Sequence, residues 1–390
     1  MVRQPRATCL PFALPDITDE EIDAVVETLR SGWLTTGPRV KAFEEAFAHY
    51  LGVSHAMALN SGTAALHLAL EAIGLTAEQE VIVPTFTFTA SAEVVRYFGA
   101  RPVLVDVDPA DLNVDTASVE RAITSKTRAI IGVDFAGQPC DWDRLRALTN
   151  DGRVVLIDDA AHALPSRLRG RSIGRWADLT AFSFYATKTL TTGEGGMLVT
   201  ERNDWADRIE IMSLHGISKN AWNRYTVNGS WFYQVMAPGY KYNMTDMAAA
   251  LGLVQLRRLE TMTARRAAIA GRYTAAFETI FELEVPRIKA DRSSSWHLYV
   301  LRLNLESLRC DRGAFIEALH SENIAASVHF IPLHRHPYYA DVLGYAVNDF
   351  PTANREYERV VSLPIYSRMT DGDVDDVIEA VTRVVKANAK

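Results

Sequence analysis

The chain has 390 residues, 48% of them hydrophobic and 23% charged, with a formal net charge of -7. That composition is globular rather than disordered, and the length exceeds what one small core organises, so a large and a smaller domain are expected. The acidic balance argues against nucleic acid as the main partner, because such proteins present a net basic face.

Near the N-terminus, Thr18 and Glu21 form a capping box that predicts a helix over EEIDAVVETL, stopping at Gly32. Further on, Ser61, Gly62 and Thr63 follow a short apolar run and open the helical segment GTAALHLALEAIG. The runs VIVP (81–84), PVLVDV (102–107), AIIGVDF (129–135), VVLID (154–158) and LTAFSF (179–184) read as buried strands, with helical pieces such as ASAEVVRYFG between them. This alternation implies an α/β fold whose large domain has a mostly parallel central sheet flanked by helices. Such sheets place ligands at the carboxyl ends of their strands. Thr245 then caps a long helical stretch, DMAAALGLVQLRRLETMTARRAAIAGRYTAAF, whose length suggests a bridge between domains. Beyond it come WHLYVLRLN as a strand, DRGAFIEALHSEN as a helix, IAASVHFIP as a strand and a last helix near DVDDVIEAVTRVV. The expected division is an N-terminal arm and large domain over 1–255 and a smaller C-terminal α+β domain over 256–390.

Cys9, Cys140 and Cys310 lie far apart and fit neither a metal spacing nor a disulfide framework, so a reducing cytosol is the expected compartment. Nowhere does an uncharged apolar run approach the ~20 residues of a membrane span, and neither a signal nor a membrane anchor is expected.

Three segments carry chemistry. Lys188 sits in SFYATKTLTTGEGG, after a buried strand and before a glycine-rich turn. An exposed loop lysine is the ordinary alternative; partial desolvation would lower its pKa and free the amine to form a Schiff base. In VVLIDDAAHALPS, Asp159 ends a buried strand, where a carboxylate is costly without a cationic partner. A pyridinium nitrogen is such a partner, and the protonated ring is an electron sink for carbanion chemistry. An N-cap role for the following turn would suit Asp158 or Asp159 equally. In ALNSGTAALHLAL, free N–H groups at the helix start make a natural phosphate site, with Gly62 allowing close approach and Thr63 adding a hydroxyl.

Together these segments resemble the DegT-like family of nucleotide-sugar aminotransferases, pyridoxal-phosphate enzymes of the aspartate-aminotransferase fold type. The resemblance runs from SGWLTTGP to SLPIYSRMTDGDV through NSGTAALHLAL, VIVPTFTFTASAEVV, IDDAAHALPS, SFYATKTLTTGEGG, GYKYNMTDMAAALGLVQL and SVHFIPLH. It implies Lys188 as the cofactor-bearing lysine and proton carrier, Asp159 as partner of the pyridine nitrogen, and His162 beside the phenolic oxygen. Phe88 falls where the family stacks an aromatic ring, and Gly62, Thr63 and Ser183 match phosphate-binding positions. A neighbouring subunit completes that phosphate site, through Lys241 and Asn243 of GYKYN, so a homodimer is implied. Some members carry histidine where this chain has Tyr185. The family's sugar dehydratases replace the lysine with histidine, so its presence favours amino transfer over a dehydratase; an amino-acid lyase using the same cofactor stays an alternative, and the acidic balance and the lack of a helix-turn-helix cue speak against a non-catalytic regulator. L-glutamate is the implied donor and a UDP-4-keto sugar the implied acceptor, because GYKYN and SVHFIPLH look like members acting at carbon 4.

Other features stay open. His334 and His336 would share one face of a strand, a spacing a metal could use, but no cysteine or nearby carboxylate completes a site and no metal is expected. His329 lies near the implied sugar pocket. Glu194 is either a second base or simply exposed, and His215 could line an entrance. ARRAAIAGRY reads as a solvated face, and the aromatics of GSWFYQVMAPGY could stack on a nucleotide base or pack a dimer interface.

Overall fold

The computed structural model describes residues 6–149, 152–218 and 232–390. Helix α1 (Asp19–Ser31) begins at the expected capping box, with the Glu21 carboxylate accepting the Thr18 backbone N–H at 2.8 Å, and Gly32 ends it at φ 77°. After α2 (Pro38–Leu51), strands and helices alternate: β1 (His55–Leu59), α3 (Gly62–Ala72), β2 (Glu80–Pro84), α4 (Ala90–Arg96), β3 (Arg101–Val105), α5 (Thr116–Ala122), β4 (Thr127–Val133), α6 (Trp142–Leu148) and β5 (Val155–Asp159). A short hairpin, β6 (Arg167–Leu168) and β7 (Arg171–Ser172), precedes β8 (Leu179–Ser183), β9 (Gly196–Thr200) and α7 (Asn203–Ser213). Then come α8 (Asp246–Phe277), β10 (Leu283–Glu284), β11 (Arg292–Ser293), β12 (Tyr299–Leu303), α9 (Arg312–Ser321), α10 (Pro351–Arg359), β13 (Val360–Leu363) and α11 (Asp371–Asn388).

Seven strands form the central sheet in the order β1-β9-β8-β5-β4-β2-β3. The five expected runs are its parallel strands, while β9 pairs antiparallel with both β8 and β1. Strand periodicity divides the side chains between two cores. Ile131, Ile157 and Leu198 join one core with Leu68 of α3, Val94 of α4 and Ile209 of α7. Ile130, Leu156 and Val199 join the other, with Phe43 of α2, Leu145 of α6 and Ala249 of α8. Both faces are covered, which is why these strands read as continuous apolar runs. A third core gathers Ile269, Tyr273 and Phe277 of α8 with Tyr299, Val361, Phe315 and Val381, and Leu10 reaches it from the N-terminal arm. Here β12 pairs antiparallel with β10 and β13.

One expected strand does not form. IAASVHFIP makes only isolated bridges, Ile324 with Leu10 and Ser327 with Ser362, and Leu333–Arg335 is a single 3-10 turn. Pro332 and Pro337 have no N–H for a ladder, so the chain crosses the sheet ends as irregular backbone. His334 and His336 therefore share no strand face. His334 is buried, with Nδ1 on the Thr85 hydroxyl at 2.7 Å and Nε2 on the Asn354 side chain at 3.0 Å.

Helix α8 packs on α2 through Gly252, where an added Cβ would meet Phe43 Cζ at 2.7 Å and Thr192 Cγ2 at 3.0 Å. Alanine is the better helix former by about 1 kcal/mol, but overpacking a core costs about 1–3 kcal/mol. Phe43 is fully buried against Phe47 and Phe184 and has little room to give. Gly252→Ala should therefore lower the urea midpoint of the cofactor-free protein; a rise would show that propensity outweighs the contact.

Candidate active site

The carboxyl ends of β5 and β8, the start of α3 and the segments around His297 and His329 enclose a cavity of about 450 Å³. That size suits a small-molecule ligand. Lys188, Asp159, His162, Gly62, Thr63, Phe88, Ser183 and His329, singled out from widely separated motifs, all line it.

Lys188 is placed by the stitched connection between β8 and β9. The Thr192 N–H and Thr191 hydroxyl both donate to the Phe184 carbonyl, at 3.0 and 3.1 Å, and the Thr189 hydroxyl donates to the Leu164 carbonyl at 2.6 Å. Within that frame the Lys188 N–H donates to the Tyr185 carbonyl at 2.9 Å, a tight turn. Burial lowers the side-chain amine to about 8, while Asp159 pulls in the opposite sense.

Asp159 ends β5 and is 6% exposed. One carboxylate oxygen accepts from the Ser91 hydroxyl at 2.6 Å and the other from the Ala161 N–H at 3.3 Å. The second contact is the turn-starting role also open to this residue from sequence. Burial raises its pKa, opposed by Ser91, Ala161 and Lys188, so the site would welcome a cation. Asp158 is fully buried on the opposite face of the strand and does not line the cavity.

His162 accepts the Ala136 N–H at Nδ1, 3.3 Å away. Burial, with Lys188 and His329 nearby, holds its pKa well down, so the ring is neutral and carries its proton on Nε2. Phe330 stacks on it at 5.7 Å between centroids. At the other end, Ser61 caps α3 by accepting the Ala64 N–H at 3.1 Å. A Cβ on Gly62 would stand 2.9 Å from the Ser183 Cβ, so glycine is needed for the helix start to meet β8 this closely.

These residues fit pyridoxal phosphate in chemistry and placement. An amine of lowered pKa, a buried acid without a cation, a neutral imidazole donor, the exposed ring of Phe88 and a helix start beside Ser183 share one cavity.

Lys241 and Asn243 do not line the cavity of their own chain. Lys241 Nζ donates to Asn243 Oδ1 at 2.6 Å, and Asn243 Nδ2 donates to the Thr36 hydroxyl at 2.6 Å. The backbone beside them pairs with the residues before Ser61, through Asn60 N–H to Tyr242 O at 2.7 Å. Tyr185 and Glu194 are exposed at the cavity wall, and His215 is exposed away from it. Of GSWFYQVMAPGY, residues 229–231 lie outside the described residues, and Phe232, Tyr233, Val235 and Met236 are exposed. Among the described residues, no group of three or more His, Cys, Asp or Glu side chains is placed to hold a metal, and no helix is long and apolar enough to cross a membrane.

Sequence reasoning missed Ser91, His297 and Phe330. A small polar residue on the inward face of a helical run is the one signal that points to Ser91; His297 and Phe330 arrive from distant segments by tertiary contact alone. A second cavity of about 650 Å³ shares Thr87, Phe88 and Phe330 with the first and adds Arg96, Tyr97 and Tyr338.

Residues 15–382 match the DegT/DnrJ/EryC1/StrS aminotransferase family. The chain is 50% identical over 384 residues to the spore coat polysaccharide biosynthesis protein SpsC of Bacillus subtilis, covering 98% of this chain and 99% of that one. Among solved structures, Spr1654 of Streptococcus pneumoniae, described as a sugar aminotransferase and solved in its PLP form, superposes with a TM-score of 0.90 at 36% identity, over 97% of this chain and 99% of that one. Helicobacter pylori PseC, an aminotransferase involved in the biosynthesis of pseudoaminic acid, gives a TM-score of 0.91 at 28% identity, over 97% of this chain and all of that one (100%). The chain belongs to the DegT/DnrJ/EryC1/StrS aminotransferase family and is an aminotransferase with pyridoxal phosphate as its cofactor.

Proposed function

We propose that this cavity moves an amino group from L-glutamate to a nucleotide-linked keto sugar, a UDP-4-keto sugar in particular, giving an amino sugar. The reading rests on one observation: the Lys188 amine and the Asp159 carboxylate face the same cavity, and no ion pair joins them. When bound, pyridoxal phosphate supplies the electron sink that lets a proton leave carbon.

The chain's own residues do the rest. Lys188 would hold the cofactor covalently and, once released, carry the proton between carbon atoms; a group with a pKa of about 8 is close to working pH in either state. Asp159 would hold the proton on the ring nitrogen, oriented by Ser91. His162 would donate from Nε2 to the phenolic oxygen, because Ala136 occupies Nδ1. Gly62, Thr63 and Ser183 would receive the phosphate at the start of α3, and Phe88 would lie against the ring.

The nucleotide half of the acceptor suits the adjoining cavity, where Tyr97 and Tyr338 offer rings to a base and Arg96 a guanidinium to phosphate. SpsC, named for spore coat polysaccharide biosynthesis, and Spr1654, described as a sugar aminotransferase, support a sugar acceptor. Lys241 and Asn243, which do not line their own chain's cavity, suit a role in a neighbouring subunit of a homodimer. The free cysteines suit a cytoplasmic setting. A division into two domains near residue 255 is supported by α8, which gives Ala249 to the large sheet's core and Ile269 to the third core.

The purified protein should show a visible absorption band that glutamate bleaches with release of 2-oxoglutarate. A panel of nucleotide keto sugars should then restore the band, UDP-4-keto sugars fastest; recovery with none of them rejects the acceptor. Lys188→Ala should lack the band and slow the glutamate half-reaction by about 10²–10⁴-fold, the range for a positioned acid–base group. Below about 8 the amine is protonated and unreactive, and above it free. Cofactor loading into stripped protein should therefore accelerate with pH and be half-maximal near about 8; a midpoint at the ordinary lysine value would show that burial does not act on Lys188.

A further inference from the structure

His297 stands in the cavity wall with 7% of its surface exposed. Its Nδ1 is sealed from solvent and has no hydrogen-bond partner, so Nε2 is the ring nitrogen left for a ligand. Burial, with His162 and Lys188 alongside, holds the ring neutral. A buried N–H without an acceptor is rarer than a buried lone pair without a donor, which places the proton on Nε2. The ring packs on His162 with centroids 4.3 Å apart, so the two imidazoles stand side by side in the cavity wall. His329 supplies a second ring: its Nδ1 meets the Ser362 hydroxyl at 2.9 Å, which leaves its Nε2 to the cavity.

Behind this wall lies Arg266, 4% exposed. Its guanidinium donates to the carbonyls of Trp296 at 3.3 Å and Ile365 at 2.7 Å, and no carboxylate pairs with it among the described residues. A positive charge thus stands one layer behind the residue next to His297. This end of the cavity offers neutral donors backed by a cation, a setting for an anion.

Transamination passes two unlike molecules through one cavity in turn. The amino-acid donor brings a carboxylate there; a sugar acceptor brings hydroxyl groups to the same wall. A guanidinium inside the cavity would pair with the first and be left unpaired against the second, and an unpaired buried charge is strongly unfavourable. A neutral imidazole can donate to a carboxylate and also to a hydroxyl. Arg266 keeps its carbonyl partners throughout and contributes only its field.

We propose that His297 receives the α-carboxylate of the amino-acid donor through Nε2, and a sugar hydroxyl in the second half of the cycle. The inference rests on aminotransferase chemistry and not on which nucleotide sugar is the acceptor or on glutamate as the donor. The test uses whichever amino acid bleaches the loaded wild type fastest, beside the amine left when that amino acid loses its α-carboxylate. His297→Phe should lower the second-order rate constant for the amino acid by about 10- to 100-fold, the span of a hydrogen bond to a charged group. The preference for amino acid over decarboxylated amine should fall by the same factor, and His297→Asn, which restores a neutral donor, should recover most of it. Equal losses for both donors would assign His297 a packing role and overturn the proposal, as would an unchanged preference. In cofactor-free wild type, the histidine ¹⁵N signal that His297→Phe removes should shift when the 2-oxo acid of that same amino acid is added; a signal that stays in place under saturating 2-oxo acid also overturns it, even if the variant fails to load cofactor.

Discussion

A buried amine and a buried carboxylate that share a cavity without meeting set the terms for the rest of this structure. Left to themselves, Lys188 and Asp159 would pair, since opposite charges out of water attract strongly. The chain prevents it by fixing each backbone elsewhere. Lys188 leaves a turn stitched to Phe184 and Tyr185, and Asp159 is occupied by Ser91 and Ala161. Each group is then in an unfavourable state that a small aromatic cation between them would relieve. Local disagreement of this kind, in a protein that elsewhere follows packing rules closely, marks the functional centre.

The surrounding architecture keeps that disagreement confined. Strand β5 ends with two acids, and strand geometry sends them to opposite faces. Asp158 is fully buried with neither carboxylate oxygen hydrogen-bonded, and burial beside Asp134 and Asp159 pushes its pKa well up. Its neutral form is favoured there, whereas Asp159 has the Ser91 hydroxyl, the Ala161 N–H and Lys188 to favour its charged form. Close approaches position the other end of the cavity. Gly62 lets α3 reach Ser183, and a Cβ on Gly196 would collide with the Ser61 carbonyl, so two glycines bring the helix start, β8 and β9 together.

Much of this was legible in the sequence because the informative signals are local. Parallel strands buried on both faces appear as unbroken apolar runs, and the cap residues Thr18, Gly32 and Thr245 mark helix ends in the structure as they do on paper. Strands β1 and β9 carry weaker signals: HAMAL holds two alanines and no β-branched residue, GMLVT opens on glycine, and an antiparallel strand inside a parallel sheet has no separate signature. The apolar content of IAASVHFIP suggests a strand, but Pro332 at its end and Pro337 beyond deny it a ladder there. His297 and Phe330 were invisible for a different reason. They are recruited by tertiary contact from segments far from Lys188 in sequence, and no spacing rule covers such distances. Lys241 and Asn243 are implied by resemblance alone, and in a single chain they bond to each other and to Thr36 and do not line the cavity.

The division between regular and irregular backbone separates chemistry from recognition. Asp159, Ser183 and the start of α3 are tied to strand ends or to a helix, and Lys188 to a turn whose connection is hydrogen-bonded back to Phe184 and Leu164 beside them. His329 and Phe330 sit on backbone held by isolated bridges, and His297 lies just before β12 begins at Tyr299. Substitutions there change what the cavity touches without removing a sheet hydrogen bond. Connecting segments on a rigid frame are where binding residues concentrate for this reason. The same reasoning explains why the cavity wall at His297, His329 and Phe330 is built of neutral rings. A segment with few backbone constraints cannot hold an unpaired charge in fixed geometry, so the cation behind it, Arg266, is carried by the interior of α8, where the carbonyls of Trp296 and Ile365 fix its position.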